Sequence, residues 1–412
     1  MSATQSAPLS PSAAHLQAEK RMLLVLAAIQ FTHIADFMIM MPLGPQFMAL
    51  FKIDPAHFGW LVSSYTLCAA LAGVLGSLIV DRFERKRLLV VLYIAFIVVT
   101  LLCGLANSFW SLLIARGLAG AFGGLLGALV QTIATELVPA ERRGQAMGAL
   151  MLAFSASTIF GVPMGLYLAA HFGWRAPFIF LSGLSLLVLL FAWRRLPHVR
   201  PNPPANPHWW SPWYHVLRVP RHWLAFAFII LMMFSGFSVI PYISVYLMQN
   251  LGLTAHDQPF LYLTGGAATF LTARWIGKMS DQYGKLKLYR IIALFACLPL
   301  LAITHLPVVP LWVMLCVCTA FFVLISGRMI PGMAIVTMSA EPAVRGSFMS
   351  LQSSVLQLGS GLAALCGGLI LGHGPHEELL HYNRVGYLAV GATLLALWVS
   401  GRLAKANQAV HT

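Results

Sequence analysis

The sequence predicts an all-α membrane protein of twelve transmembrane helices arranged as two pseudo-symmetric six-helix bundles. Composition, the length of the apolar runs and an internal repeat carry that expectation. The 412 residues are 59% hydrophobic and 9% charged, with a mean hydropathy of +0.80. An ordinary soluble domain is about 25% charged, and even a large single fold leaves much of its surface in water. Soluble, disordered, collagenous and disulfide-stapled classes are therefore excluded. The apolar residues run on continuously for about 20 positions rather than alternating in short segments, which excludes a transmembrane β-barrel.

Taken in order, residues 1–21 form a polar tail whose one acid is Glu19. The first apolar run is too long for a signal-peptide core and lacks a convincing cleavage site, so it reads as a retained span. Spans at 22–49, 58–80, 88–107, 110–136, 146–171 and 176–193 make the N-terminal bundle, 22–193. Residues 194–222 are a linker in which Pro201, Pro203, Pro204 and Pro207 favour extended chain. The aromatic run from His208 to Tyr214 suits the headgroup level of a bilayer. Spans at 223–248, 259–280, 288–305, 309–336, 347–372 and 385–402 make the C-terminal bundle, 223–402, followed by a tail at 403–412. Each is long enough to cross about 30 Å of hydrocarbon.

The formal charge of +14 is explained by topology. With both termini in the cytoplasm, inner segments hold 20 of the 26 Lys and Arg residues; only Lys52, Arg175 and Arg384 fall outside, and Arg116, Arg274 and Arg328 lie within spans. This positive-inside bias makes nucleic acid an unneeded partner and the lipid bilayer the expected one. All six cysteines sit in apolar runs without metal-ligand spacing, so no metal site is expected.

The repeat appears in the loops. Ser77–Lys86, with Asp81, Arg82, Arg85 and Lys86, echoes Gly277–Lys287, with Asp281, Gly284 and Lys285, at an offset of 200. Pro139–Gly144 echoes Pro342–Gly346, placing Arg143 and Arg345 202 apart. Two echoes at nearly one offset, in a chain of about twice that length, indicate a duplicated six-span unit.

On these motifs the whole chain resembles the major facilitator superfamily. The loop signature of that family is met by Gly277, Asp281, Gly284 and Lys285, while Ser77 and Glu84 replace its two glycines in the first half. A glycine there permits positive φ, which strains other residues. Leu112, Arg116 and Gly120 resemble its fourth-span signature, with Ala119 in place of glutamine. Gly161, Pro163 and Gly165, followed by Phe172–Arg175, resemble the fifth span of twelve-helix drug/proton antiporters and arabinose-type sugar-efflux permeases. The resemblance implies that helices 1, 4, 7 and 10 line a central cavity. It also implies that Asp81 meets Arg85 and a helix N-terminus of the other half, as part of an inner gate. Glu136, Arg143, Asp281 and Lys285 are candidates for the same gating network.

A charge within lipid is costly, so each retained one is a functional candidate. Of twelve acids only Asp36 lies deep in a span, about 21 Å from its inner start at the helical rise. His33 precedes it by one turn and Gln30 by a further turn, forming a polar stripe that must face protein or water. Asp36 is the candidate proton-coupling carboxylate, alternating between an apolar setting and a cation, and His33 is the candidate that tunes it or shares its proton. Arg116 stands at comparable depth and suits a partner for Asp36 or an anionic substrate group. Arg328 in span 10 and Gln131 in span 4 complete the candidate substrate cavity, while Arg274, nearer the inner end, suits a gate or interface. The competing role for each is a structural hydrogen bond or ion pair. Gly120, Gly124, Gly161 and Gly165 permit close helix approach, and Pro163 permits a bend.

These readings converge on a secondary active transporter in a plasma membrane, such as a bacterial inner membrane. It would export a small molecule by alternating access, energised by a proton gradient, without cofactor or enzymatic chemistry, and act as a monomer. A sugar or metabolite facilitator or symporter is the alternative within transport, and a transport-derived sensor the alternative outside it. The sequence has no HExxH or GxSxG motif and no second deep carboxylate for an aspartyl protease.

Overall fold

The computed structural model describes residues 13–79, 83–139, 142–197, 211–341, 344–375 and 377–408. The first half holds α1 (Ala13–Ile39), α2 (Gly44–Phe51), α3 (Pro55–Ile79), α4 (Arg85–Leu105), α5 (Phe109–Leu137), α6 (Arg143–Ala156), α7 (Val162–Phe172) and α8 (Ala176–Arg195). After α9 (Ser211–Arg218) in the linker, the second half holds α10 (Pro220–Phe237), α11 (Ile243–Gln249), α12 (Gln258–Tyr283) and α13 (Lys285–Thr304). It continues with α14 (Leu311–Gly327), α15 (Met329–Thr337), α16 (Arg345–Ile370) and α17 (Tyr382–Gln408). A two-stranded antiparallel ribbon, β1 (Gly372–His373) with β2 (Leu379–Leu380), joins the last two helices.

Every expected span coincides with a helical segment, and eleven segments among the described residues are long and apolar enough to cross a membrane. The expected eighth span, α12, is a 26-residue helix that falls outside that set; it carries Arg274, Lys278 and Asp281. Two outer boundaries lie well beyond the sequence expectation. Helix α1 begins at Ala13 rather than 22, and α17 continues to Gln408 rather than 402. The α17 extension is held by Asn407 Nδ2 donating to the Ile335 carbonyl at 3.3 Å.

Prolines divide the long spans where the missing N–H breaks the ladder. Pro331 removes the donor that would serve Gly327, and span 10 divides there into α14 and α15. A 3-10 turn at Ile240–Tyr242 around Pro241 separates α10 from α11. Before Pro163, Ser157–Gly161 widens into a π-turn, one of the regular ways a helix absorbs such a defect.

Three apolar cores organise the packing. At the end of the bundle away from the termini, one core takes residues from both halves, including Phe47, Phe58, Tyr65, Tyr242, Leu261 and Ala364. At the terminus-bearing end the packing separates. One core there is built from the first half around Leu26, Tyr93 and Val130. The other is built from the second half around Ile229, Tyr289 and Phe348, with Val74 of α3 against it. The halves are thus joined at one end and packed separately at the other, with α3 against α16 as the long lateral seam. Burying this apolar area contributes about 25 cal/mol per Å² where water is the alternative; between helices in lipid, close packing takes that place.

Candidate functional site

Local sequence places three side chains around one point in the first half. Asp36 stands on the last turn of α1. Ser108 caps α5, accepting from the Ser111 N–H while the Ser111 hydroxyl accepts from the Ser108 N–H, and Arg116 follows two turns later. Asp54 starts α3 by accepting the His57 N–H at 2.8 Å, and that helix carries Tyr65. Caps of this kind contribute about 1 kcal/mol each.

Arg116 Nη1 donates to Asp36 Oδ2 at 2.8 Å, and neither side chain is exposed. The same nitrogen donates to the Asp36 carbonyl at 3.3 Å, one of the carbonyls that a helix C-terminus leaves without an intrahelical donor. The Tyr65 ring lies under the guanidinium, 4.7 Å from Cζ to the ring centroid. Thr100 and Cys103 face the pair from α4. Asp36 Oδ1, Arg116 Nε and Nη2 and the Tyr65 hydroxyl are buried without a hydrogen-bond partner among the described residues. A charge pair in this setting is stable only while both members are ionised or both are gone, because a lone buried ion costs several kcal/mol.

The rest of the polar stripe is present but looser. His33 is partly buried, with Nε2 unpartnered among the described residues and lying beside Gly127 of α5; Gln30 is buried with Oε1 likewise unpartnered. Gln131 is partly exposed on α5. Arg328, a candidate for the substrate cavity, is fully buried within the second half, where it donates to the Met232 carbonyl at 3.1 Å, to the Ser235 hydroxyl and to Thr393 Oγ1 at 3.2 Å. Arg116 is likewise turned into its own bundle by Asp36. Arg274 is exposed on α12.

Toward the terminus-bearing end, Arg85 is almost fully buried and grips Glu136 with two nitrogens, Nε at 3.2 Å and Nη2 at 3.0 Å. Two further pairs repeat one position with inverted sign. Glu19 of α1 pairs with Arg142 at 3.0 Å, and Arg221 of α10 pairs with Glu341 at 2.9 Å. Glu84 adopts φ −59°, so the missing glycine carries no strain at that turn, whereas Gly284 takes φ +89°. Asp281 is exposed, and Lys285 Nζ approaches Met338 Sδ at 3.7 Å. Asp81 lies outside the described residues, as do Trp209 and Trp210 of the linker; Arg143 begins α6.

The expected glycine contacts are close. A side chain on Gly120 would collide with the Tyr65 carbonyl, and one on Gly165 with Ile39; Gly124 lies against Ala69 and Gly161 against Ala35. Sequence reasoning passed over Tyr65, Thr100 and Cys103. The available signal was depth, since they share the level of Asp36 and Arg116 on spans 2 and 3.

The family model described as Major Facilitator Superfamily matches residues 26–327 and 229–409. An uncharacterized MFS-type transporter of Bacillus subtilis (strain 168), YceJ, is 26% identical over 370 residues, covering 88% of this chain and 91% of that protein. A probable sugar efflux transporter of Helicobacter pylori (strain P12) is 27% identical over 238 residues, 57% of this chain and 60% of that protein. Among solved structures, a D-xylose-proton symporter superposes with a TM-score of 0.74 at 17% identity, over 92% of this chain and 97% of that one.

Proposed function

This chain belongs to the Major Facilitator Superfamily and is a multi-pass membrane transporter, and from that premise we propose that it exports a small molecule in exchange for protons. The observation that carries this reading is the enclosed Asp36–Arg116 pair. A proton arriving on Asp36 converts the carboxylate to a neutral acid and leaves Arg116 as an unbalanced buried cation. Breaking such a pair costs about 3–5 kcal/mol, enough to shift a two-state equilibrium by about two to nearly four orders of magnitude. Protonation and rearrangement of the bundle are therefore linked.

The distribution of Lys and Arg supports cytoplasmic termini. In that orientation the separately packed end faces the cytoplasm, the jointly packed end faces outward, and the structure is the inward-facing member of an alternating-access pair. The loop charges Arg85, Glu136, Arg143, Asp281 and Lys285 stand at the end that closes. His33 and Gln131 are the polar candidates for the substrate path. Sugars are the first substrate class to test, because the Helicobacter relative is a probable sugar efflux transporter. Two pseudo-symmetric halves in one chain support a functional monomer, and the bacterial relatives support a bacterial inner membrane as its setting.

The test is reconstitution into liposomes with an imposed pH gradient, screening substrate classes while internal pH is recorded. Uphill substrate movement tied to proton flux is expected, lost in Asp36→Asn with substrate counterflow retained. Flux that ignores the gradient in the unaltered protein would make it a facilitator, and binding without flux would make it a sensor.

A further inference from the structure

We propose that the Tyr65 ring is the mechanical link between the protonation site and the interface of the two halves. This rests on the proton-coupled reading of Asp36. Tyr65 is 2% exposed, and two different partners share its ring. The Arg116 guanidinium sits 4.7 Å from its centroid. Phe37, the residue after Asp36, lies 5.0 Å away with the rings inclined at 32°. Phe37 in turn stacks on Phe237 of α10, at 6.2 Å and 26°. The contacts Asp36–Arg116–Tyr65–Phe37–Phe237 therefore run without interruption from the buried carboxyl to the opposite half. Phe37 and Phe237 both pack on the core that joins the halves at the outer end, so the path ends where the bundles are pinned together.

Tyr65 is confined from behind. Its carbonyl is pressed against Gly120 and its hydroxyl against Gly123, both on α5, where any side chain would collide. The hydroxyl has no hydrogen-bond partner among the described residues, so the ring is held by packing and by the cation on its face. The groups facing Asp36 are Arg116 from α5, Tyr65 from α3 and Thr100 and Cys103 from α4, with His33 one turn earlier on α1. When Asp36 takes a proton, the locus changes from net neutral to a single positive charge. Arg116 loses its ionic anchor and moves toward other acceptors, and the ring it was pressing is released. With Gly120 and Gly123 blocking retreat, the displacement passes to Phe37 and so to the Phe37–Phe237 contact. Packed aromatic contacts of this kind have discrete arrangements rather than a continuum.

The experiment needs no substrate. Spin labels are introduced as noncanonical residues at Arg87 and Lys287, exposed in the first turns of α4 and α13, and their separation is measured in lipid nanodiscs. Low pH and Asp36→Asn are each expected to move the distribution to shorter distances, as the open end closes. Tyr65→Phe is expected to keep that response and Tyr65→Leu to abolish it. Phe237→Leu, which breaks the far contact without touching Arg116, is expected to abolish it too and decides the matter if Tyr65→Leu does not fold. A full response in both leucine variants overturns the role of Tyr65 while leaving Asp36 as the proton site. Loss of the response in Tyr65→Phe also overturns it, because the ring and not the hydroxyl is the link. No response to pH or to Asp36→Asn in the otherwise unaltered protein overturns both.

Discussion

Asp36 and Ser235 occupy the same station in the two halves, each six residues ahead of a proline, Pro42 and Pro241 respectively. Each is bonded to a fully buried arginine, Asp36 to Arg116 and Ser235 to Arg328. Each half thus holds a buried cation, although Arg116 and Arg328 are not equivalent positions of the repeat, and only the first half gives it an ionisable partner. Protonation at this station changes the charge balance of the first half alone.

Removing one member of the Asp36–Arg116 pair leaves an uncompensated charge, whereas removing both with apolar groups of similar volume does not. Arg116→Met alone should therefore destabilise the protein by about 3–5 kcal/mol, and adding Asp36→Leu should recover most of that loss. Thermal unfolding in detergent measures both. An additive double variant would show that the two side chains are not energetically coupled.

Gly120 has no room for a side chain against the Tyr65 carbonyl, whereas a methyl group on Gly148, in α6, would meet no described atom within 4 Å. Gly120→Ala should cost about 1–3 kcal/mol through overpacking. Gly148→Ala should be neutral or stabilise by up to about 1 kcal/mol through helix propensity. Unfolding temperatures of the two variants, compared side by side, check the contrast.

Arg85 is 3% exposed and binds Glu136 through two nitrogens. A lysine supplies the charge without the planar fork. Arg85→Lys should therefore lose about 1.5–3 kcal/mol, in the range of hydrogen bonds to charged groups, and Glu136→Gln less, since that carboxylate is partly exposed. Equal stability of Arg85→Lys and the unaltered protein would show that the two-point grip adds nothing beyond the charge.

Asp54, in the loop just before α3, ties stability to pH. Partial burial pushes its carboxyl up, but the His57 N–H, ring and charge and the Ala56 N–H outweigh this and hold it below the ordinary carboxylate value. A group depressed on folding contributes stability above its unfolded pKa and loses that contribution as pH falls through its folded value. Asp54→Asn should lower stability at neutral pH by less than about 1 kcal/mol, the pair being largely exposed. The difference should vanish once the solution is acidic enough to protonate the native carboxyl. Parallel unfolding curves at neutral and acidic pH test it.

Much of this protein was readable from local pattern. Apolar runs set the helices because lipid leaves a backbone no other way to satisfy its N–H and C=O groups. Pro163, Pro241 and Pro331 mark where those helices deform. Asp36 was identifiable as the one deep acid, and Arg116 as a cation at matching depth, because rise per residue converts position into height. The orientation of Arg328 was not readable, since height says nothing about rotation around the bundle axis. Tyr65 was equally hidden: an aromatic residue in an apolar span has many possible neighbours, and periodicity does not choose among them.

What the one-dimensional chain determined by itself was the solvent it lives in, the order of its helical segments, the duplication and the candidate ions. These follow from transfer energies and spacing, which act residue by residue. Tertiary structure alone decided that Asp36 meets Arg116, that Tyr65 lies between that pair and Phe37, and that one end of the bundle is joined while the other packs apart. Those outcomes depend on how helices distant in sequence are rotated against one another, a matter settled by close packing of many side chains at once.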